Sequence, residues 1–161
     1  MSTSALSGTM DYLLARLPAV VTAVDPLGIV AEGYVNSAPP APAPIVAVGT
    51  PHPEDASAAE QTRQYLALGS GIVEENFMIP CYIDVEIVGI DEQTNARRKA
   101  CLIFDGVVDL IRSDLTLGGN LKRGRFAELG DIRLIATAGD VEAASGRRSI
   151  LTFVVRARNA Y

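Results

Sequence analysis

Hydrophobic and polar positions along the chain follow two different periods, which predict both helices and strands. The clearest helical pattern lies over about 93–115, where apolar residues recur every three or four positions. Its apolar face consists of Ala96, Ala100, Ile103, Val107, Leu110, Ile111 and Leu115. A similar stripe predicts a helix over about 4–23, and Pro18 is expected to kink or divide it. Gly118 and Gly119 follow the longer helix and provide the backbone freedom that a helix exit often needs.

Alternation with a period of two predicts a long strand with one face in the core. The residues on that face are Phe77, Ile79, Cys81, Ile83, Val85 and Ile87. Pro80 cannot donate a ladder hydrogen bond, so it predicts an edge position or a bulge. Shorter patterns predict further strands over 29–35, 45–49, 61–68, 123–138 and 149–159, with a bulge at Gly130 and a polar hairpin connection over 139–147.

These elements together predict one α+β domain over residues 1–161. Its antiparallel-rich sheet has four to six strands and is packed by two helices. A proline-rich stretch at about 36–61 is expected to form an extended loop or arm around the short apolar strand it contains.

Composition and charge favour contact between copies without requiring it. Apolar residues make up 48% of the chain and the mean hydropathy is +0.22, which fits apolar surface buried against other subunits or simply a high alanine content. Residues 1–90 carry 10 acids and 2 bases, whereas residues 91–161 carry 9 acids and 12 bases. This asymmetry suits head-to-tail association, and chance explains it equally well. The net charge of −5 excludes an overall basic nucleic-acid footprint.

The sequence lacks the patterns of common catalytic sites. The single histidine, His52, stands between two prolines in an expected loop, where a Ser–His–Asp or Cys–His site could not be held rigidly. The segment 69–71 (GSG) has the wrong spacing for a nucleophile elbow or a phosphate loop and predicts a turn. Cys81 and Cys101 are predicted to be buried thiols in a reducing compartment. No signal peptide or membrane span is predicted.

Two charged groups have both a functional and an ordinary interpretation. Asp84 and Glu86 share one strand face, where they form either a carboxylate pair for a metal or acid–base chemistry, or an ordinary solvated face. Arg97 and Arg98 begin a basic run that contacts DNA phosphate, contacts a neighbouring subunit or faces solvent. In each case the ordinary interpretation is favoured.

The order of segments resembles the tail-terminator proteins of siphovirus-like phages over about residues 6–158. The matching segments are DYLLARLPAVV, VDPLGIVAEGYV, IVAVG, EENFMIPCYIDVEI, ARRKACLIFDGVVDLIRSD and LTLGGNL, in that order. The most specific piece is the helix end at 109–114 together with 115–119, and the next is the strand start at 75–79.

This resemblance implies a structural virion protein that is not an enzyme and needs no cofactor or metal. Such proteins form a ring, commonly six-fold, on the last ring of the tail tube, stop its polymerisation and then join the head-completion (stopper) proteins. DNA passes through the lumen without sequence-specific binding, and no membrane is involved. The expected location is the virion tail or neck, and the host cytoplasm during assembly.

The resemblance also implies a structural turn at Leu117, Gly118 and Gly119, near a subunit contact. Arg97 and Arg98 are further candidates for subunit contacts. Gly118→Val is predicted to disturb the helix exit and weaken assembly.

Two alternatives stay open at this point. One is another neck component, such as a head-completion, stopper or minor tail protein. The other is a small enzyme or ligand-binding domain that uses the Asp84/Glu86 face. A binding domain predicts a concave pocket at that face, whereas a ring subunit predicts a large apolar surface between subunits.

Overall fold

Two helices and five strands make up the described part of the chain. The computed structural model describes residues 5–33, 43–50, 74–89, 91–122, 125–138 and 146–160. In chain order the elements are α1 (Ala5–Val24), β1 (Ile29–Glu32), β2 (Ile45–Val48), β3 (Glu74–Val88), α2 (Gln93–Ser113), β4 (Ala127–Ala138) and β5 (Gly146–Ala160). The predicted α+β fold, with a mostly antiparallel sheet packed by two helices, is confirmed.

Several predicted segments lie partly or wholly outside the described residues. They are the strand over 61–68, the turn over 69–71, His52 and most of the stretch at 36–61, within which β2 is formed as predicted. The connection predicted over 139–147 is shorter than expected, because β5 already includes Gly146 and Arg147. β4 begins at Ala127, later than predicted, and Leu115 lies beyond the end of α2.

The five strands form one sheet in the order β1-β2-β3-β5-β4. β1 and β2 are parallel, and the other neighbours are antiparallel. The longest ladder joins β3 to β5 and runs from the Glu74–Ala160 pair to the Val88–Gly146 pair. Among the described strands, β1 and β4 are therefore the two outer ones.

Both helices cover the same face of the sheet, because each buries one apolar stripe there. Alternate residues of β3, from Phe77 to Val85, and of β5, from Leu151 to Ala157, point into this layer. Phe153 packs edge-on against Phe104 of α2, with ring centroids 5.3 Å apart. The helix residues that complete the buried core are Ala5, Leu13, Leu17, Val21, Ala96, Ala100, Ile103, Val107 and Ile111.

Side chains from distant segments fasten both ends of α1. At its start the backbone N–H of Ala5 donates to Oε2 of buried Glu75, 3.1 Å away, which places a carboxylate at the positive end of the helix dipole. Beyond its end, Asp25 accepts from the backbone N–H of Leu27 at 2.9 Å and pairs with Lys99 of α2 at 2.8 Å. The hydrogen bond from Lys99 lowers the pKa of Asp25.

Of the two effects predicted for Pro18, division of α1 is excluded, because the helix continues from Ala5 to Val24. Its ring is exposed, while Leu17 and Val21 beside it are fully buried and anchor the helix to the core. The missing N–H thus removes one helical hydrogen bond without displacing the buried face.

The prediction that Pro80 marks an edge or a bulge is also wrong, because β3 is central and its ladder with β5 is continuous. The carbonyl of Pro80 accepts from the N–H of Gly49 at 2.8 Å, so its backbone nitrogen also faces the β2 side. The β2 ladder has already ended at the Val48–Cys81 pair. Gly49 is the next residue in register opposite Pro80, so the missing donor removes the reciprocal hydrogen bond of this pair, at the point where the β2 ladder ends. The bulge predicted at Gly130 is confirmed by a register shift between Gly130 and Arg133.

Candidate functional site

The segment 114–121, called here the post-helix loop, is ordered by the carboxylate of Asp114. This carboxylate accepts from the backbone N–H of Gly118 at 2.7 Å and from the hydroxyl of Thr116 at 2.8 Å. Those hydrogen bonds, the Thr116 hydroxyl first, hold the pKa of Asp114 below its usual range. The loop carbonyl of Thr116 in turn accepts from the N–H of Leu121 at 3.1 Å.

Leu117, Gly118 and Gly119 lie in this loop, and all three have left-handed backbone conformations. Their φ values are 51°, 73° and 75°. Leu117 is fully buried, so the unusual conformation turns its side chain into the core. A Cβ on Gly118 would lie 2.9 Å from Cδ2 of Tyr12, whereas a Cβ on Gly119 would meet nothing within 4 Å.

The post-helix loop is attached to the first turns of α1. The hydroxyl of Tyr12 donates to Asp114, and burial followed by the charge of Asp114 raises the pKa of Tyr12. Nδ2 of Asn120 donates to the carbonyl of Gly8 at 3.0 Å, and a Cβ on Gly8 would lie only 2.2 Å from Oδ1 of Asn120. These contacts connect the end of α2 to the start of α1.

Arg97 and Arg98 are exposed near the start of α2. Sixteen residues separate Arg97 from the end of the helix at Ser113, which corresponds to about 24 Å at 1.5 Å per residue. The structure thus does not bring the two groups of sequence candidates together.

The two outer strands and the residues just before them expose large apolar side chains, a feature that the sequence analysis missed. The β1 edge surface consists of Leu27 and Ile29, which are 65% and 38% exposed. The β4 edge surface consists of Phe126, Ile132 and Leu134, which are 57%, 54% and 46% exposed. Among the described residues, one side of each outer strand has no strand partner, and such an edge can pair with a further strand. Hydrophobic periodicity alone could not identify these edges, because it does not reveal strand order.

Asp84 and Glu86 lie on the sheet face opposite the helices, as predicted. Asp84 is buried and is held by Arg148, whose Nε donates to Oδ1 at 2.8 Å and whose Nη2 pairs with Oδ2. Glu86 is the cross-strand neighbour of Arg148. A guanidinium thus lies beside the two carboxylates. Within the described ranges no group of three His, Cys, Asp or Glu residues could hold a metal ion.

Part of the charge asymmetry along the sequence is used inside the sheet. β3 carries four acidic residues and its neighbour β5 carries four arginines. Asp84 and Arg148 form an ion pair between these two strands, and opposite charges on adjacent strands stabilise the pairing.

An open groove of about 530 Å³ lies at the other end of the face that carries Asp84. Its lining includes Asn76 and Met78 of β3, Phe126 and Glu128 beside or on β4, and Arg156 and Arg158 of β5. Arg156 pairs at 2.5 Å with Asp131, a bulge residue with φ of 51°. Neither Asp84 nor Glu86 lines this groove.

The two thiols differ in accessibility. Cys81 is buried as predicted, and burial raises its pKa to about 12. Cys101 is only partly buried, because it lies beside the core-facing stripe of α2. Both are free cysteines. None of the helices in the described residues is long and apolar enough to cross a membrane.

Comparison with known proteins does not assign the chain to a family. A scan against protein-family models and a search of curated proteins each returned no match. We therefore infer function from the geometry of the sheet edges and the post-helix loop, together with the resemblance of the segments that build them.

Proposed function

We propose that the protein is a structural subunit of a phage virion, a tail terminator that forms a ring on the tail tube. The ring stops tube polymerisation and joins the tube to the head-completion proteins. The observation that carries this proposal is the pair of apolar edge surfaces on β1 and β4, at opposite sides of one sheet. A closed ring requires two different surfaces on each subunit that complement each other, and the two edges support the proposal as candidates for these surfaces.

The segments that most resemble tail terminators contribute to the rigidity of this subunit. Glu75, in the resembling strand start, binds the N-terminus of α1. Asp114, in the resembling helix end, orders the post-helix loop and binds Tyr12 of the same helix. A rigid layer of helices behind the sheet supports a fixed angle between the two edges, which ring closure requires.

The first test is the mass of the purified protein by light scattering, alone and with isolated tail tubes. We expect a closed oligomer, or capping of tube ends visible by electron microscopy. Leu134→Lys should reduce both the oligomer mass and the capping of tube ends, because it would place an ammonium group in an apolar contact. Leu102→Lys is the matched control, since Leu102 is 57% exposed and belongs to α2, not to either outer strand.

A wild-type monomer that ignores tail tubes would contradict the proposal. Binding to portal-bearing heads that lack tails, without binding to tubes, would instead identify a stopper. If Leu102→Lys and Leu134→Lys reduced assembly equally, the edge surfaces would not be the contact.

A further inference from the structure

The geometry points to a sheet that continues from one copy to the next, with β1 of one copy hydrogen-bonded to β4 of its neighbour. This inference rests on the proposed ring-forming function and names the two surfaces that meet. Both strands are outer strands of the described sheet, so each has one side without a strand partner there. Three properties of the two edges match: strand direction, the positions of residues along the strands, and side-chain chemistry.

Strand direction makes the contact an antiparallel pair. β1 runs parallel to β2, which is antiparallel to β3. β5 is antiparallel both to β3 and to β4. β1 and β4 therefore run in opposite directions within one subunit. A neighbour placed beside it in a similar orientation then presents its β1 antiparallel to β4, which is the more stable form of strand pairing.

The positions of residues along the strands place apolar residues of the two edges opposite each other. One row of paired residues crosses the entire sheet and consists of Val30, Val46, Ile83, Leu151 and Leu134. The next row consists of Ile29, Ile45, Asp84, Ile150 and Ile135. If the rows continue into the neighbouring copy, its Val30 stands opposite Leu134 and its Ile29 stands opposite Ile135.

Side-chain chemistry agrees with this register. Leu134 and Ile29 are 46% and 38% exposed, and the pairing would cover both with apolar partners. In this register Arg133 stands opposite Ala31 of the neighbouring copy. Glu32 ends β1, and Gly33 follows with φ of 70°, so the contact is limited to the four residues of that strand.

Cysteine cross-linking between copies tests this register. In a Cys101→Ser background, Val30→Cys and Leu134→Cys are made in separate chains, mixed, assembled alone or on tail tubes, and oxidised. A disulfide requires Cα atoms about 4.4–6.8 Å apart, a distance that directly opposed strand residues meet. We expect a disulfide-linked heterodimer, and a ladder of multimers when one chain carries both substitutions. The control mixes chains that carry Ala31→Cys with chains that carry Leu134→Cys. Ala31 lies one position from Val30 and therefore faces the other side of the sheet from Leu134.

The outcomes separate this inference from the proposed function. Assembly that proceeds normally with cross-linking no greater than in the control would overturn the register and leave the ring intact. Dimerisation of Leu134→Cys alone would show β4 pairing with β4 and would also overturn it. Failure of the wild-type protein to assemble, alone or on tubes, would contradict the proposed function itself and the inference with it.

Discussion

Substitution of Gly118 by alanine is expected to destabilise the fold by about 2–4 kcal/mol, and the same change at Gly119 by about 1 kcal/mol. The two glycines are adjacent, have nearly equal φ values of 73° and 75°, and lie in the same exposed loop. They differ in what a side chain would contact. The pair therefore separates the cost of backbone conformation from the cost of a steric clash.

The magnitudes follow from the two environments. A left-handed backbone costs an L-residue about 1–2 kcal/mol, and the reduced freedom of alanine in the unfolded chain offsets about 0.4–1 kcal/mol of that. Only this difference applies at Gly119, where a Cβ has open space. At Gly118 the Cβ would lie 2.9 Å from Cδ2 of Tyr12. The Tyr12 ring cannot swing away freely because its hydroxyl is held by Asp114, so overpacking adds about 1–3 kcal/mol.

Urea unfolding followed by circular dichroism measures both variants, and the midpoints are comparable if the slope m is unchanged. Combining Gly118→Ala with Tyr12→Ala should remove the clash, so that the added cost of the glycine change falls to that of Gly119→Ala. Equal destabilisation by the two single variants would refute the steric argument. Gly118→Val should act in the same direction more strongly, and its predicted weakening of assembly is measurable on tail tubes.

Three further outcomes are expected. Arg148→Ala should lower the unfolding free energy by about 3 kcal/mol, because it leaves the carboxylate of Asp84 buried without its guanidinium; a loss below about 1 kcal/mol in urea unfolding would contradict this. The pKa of Asp114 is lowered in the folded state, so its contribution to stability is present above its unfolded pKa of about 4 and is lost as the pH falls through the folded pKa. Asp114→Asn should therefore show a flatter acid limb of unfolding free energy against pH, and an unchanged limb would exclude that role. Alkylation of the native protein at pH 8 should modify Cys101 and spare Cys81, whose burial raises its pKa to about 12, as read by mass spectrometry before and after unfolding; equal rates for both thiols would argue against the buried position.

Elements that bury one face on the core were predictable from the sequence. α2, β3 and β5 each show a regular apolar stripe because one side of each contacts the core along nearly its whole length. Their predicted bounds differ from the observed ones by a few residues. Pro80 was misjudged because the effect of a missing backbone donor depends on the neighbouring strand. At Pro80 the adjacent ladder has already ended, and no local pattern carries that information.

The edge surfaces could not be predicted from periodicity. Leu134 alternates like a residue of any half-buried strand, and it is 46% exposed only because β4 is an outer strand. The order of strands depends on pairing between segments far apart in the chain, such as β3 with β5. The post-helix loop was identified as a turn from its glycines, but its attachment to Tyr12 and Gly8 depends on tertiary contact.

The insertion of β5 between β3 and β4 affects the order in which the protein can mature. Both neighbours precede β5 in the chain, so the sheet cannot be closed until residues 146–160 have left the ribosome. Until then β3 lacks its longest partner, and β4 lacks the strand that joins it to the rest of the sheet. Such late, long-range pairing slows folding and leaves strand edges open during synthesis. A nascent chain therefore cannot hold the two outer strands in their final relation before β5 is synthesised.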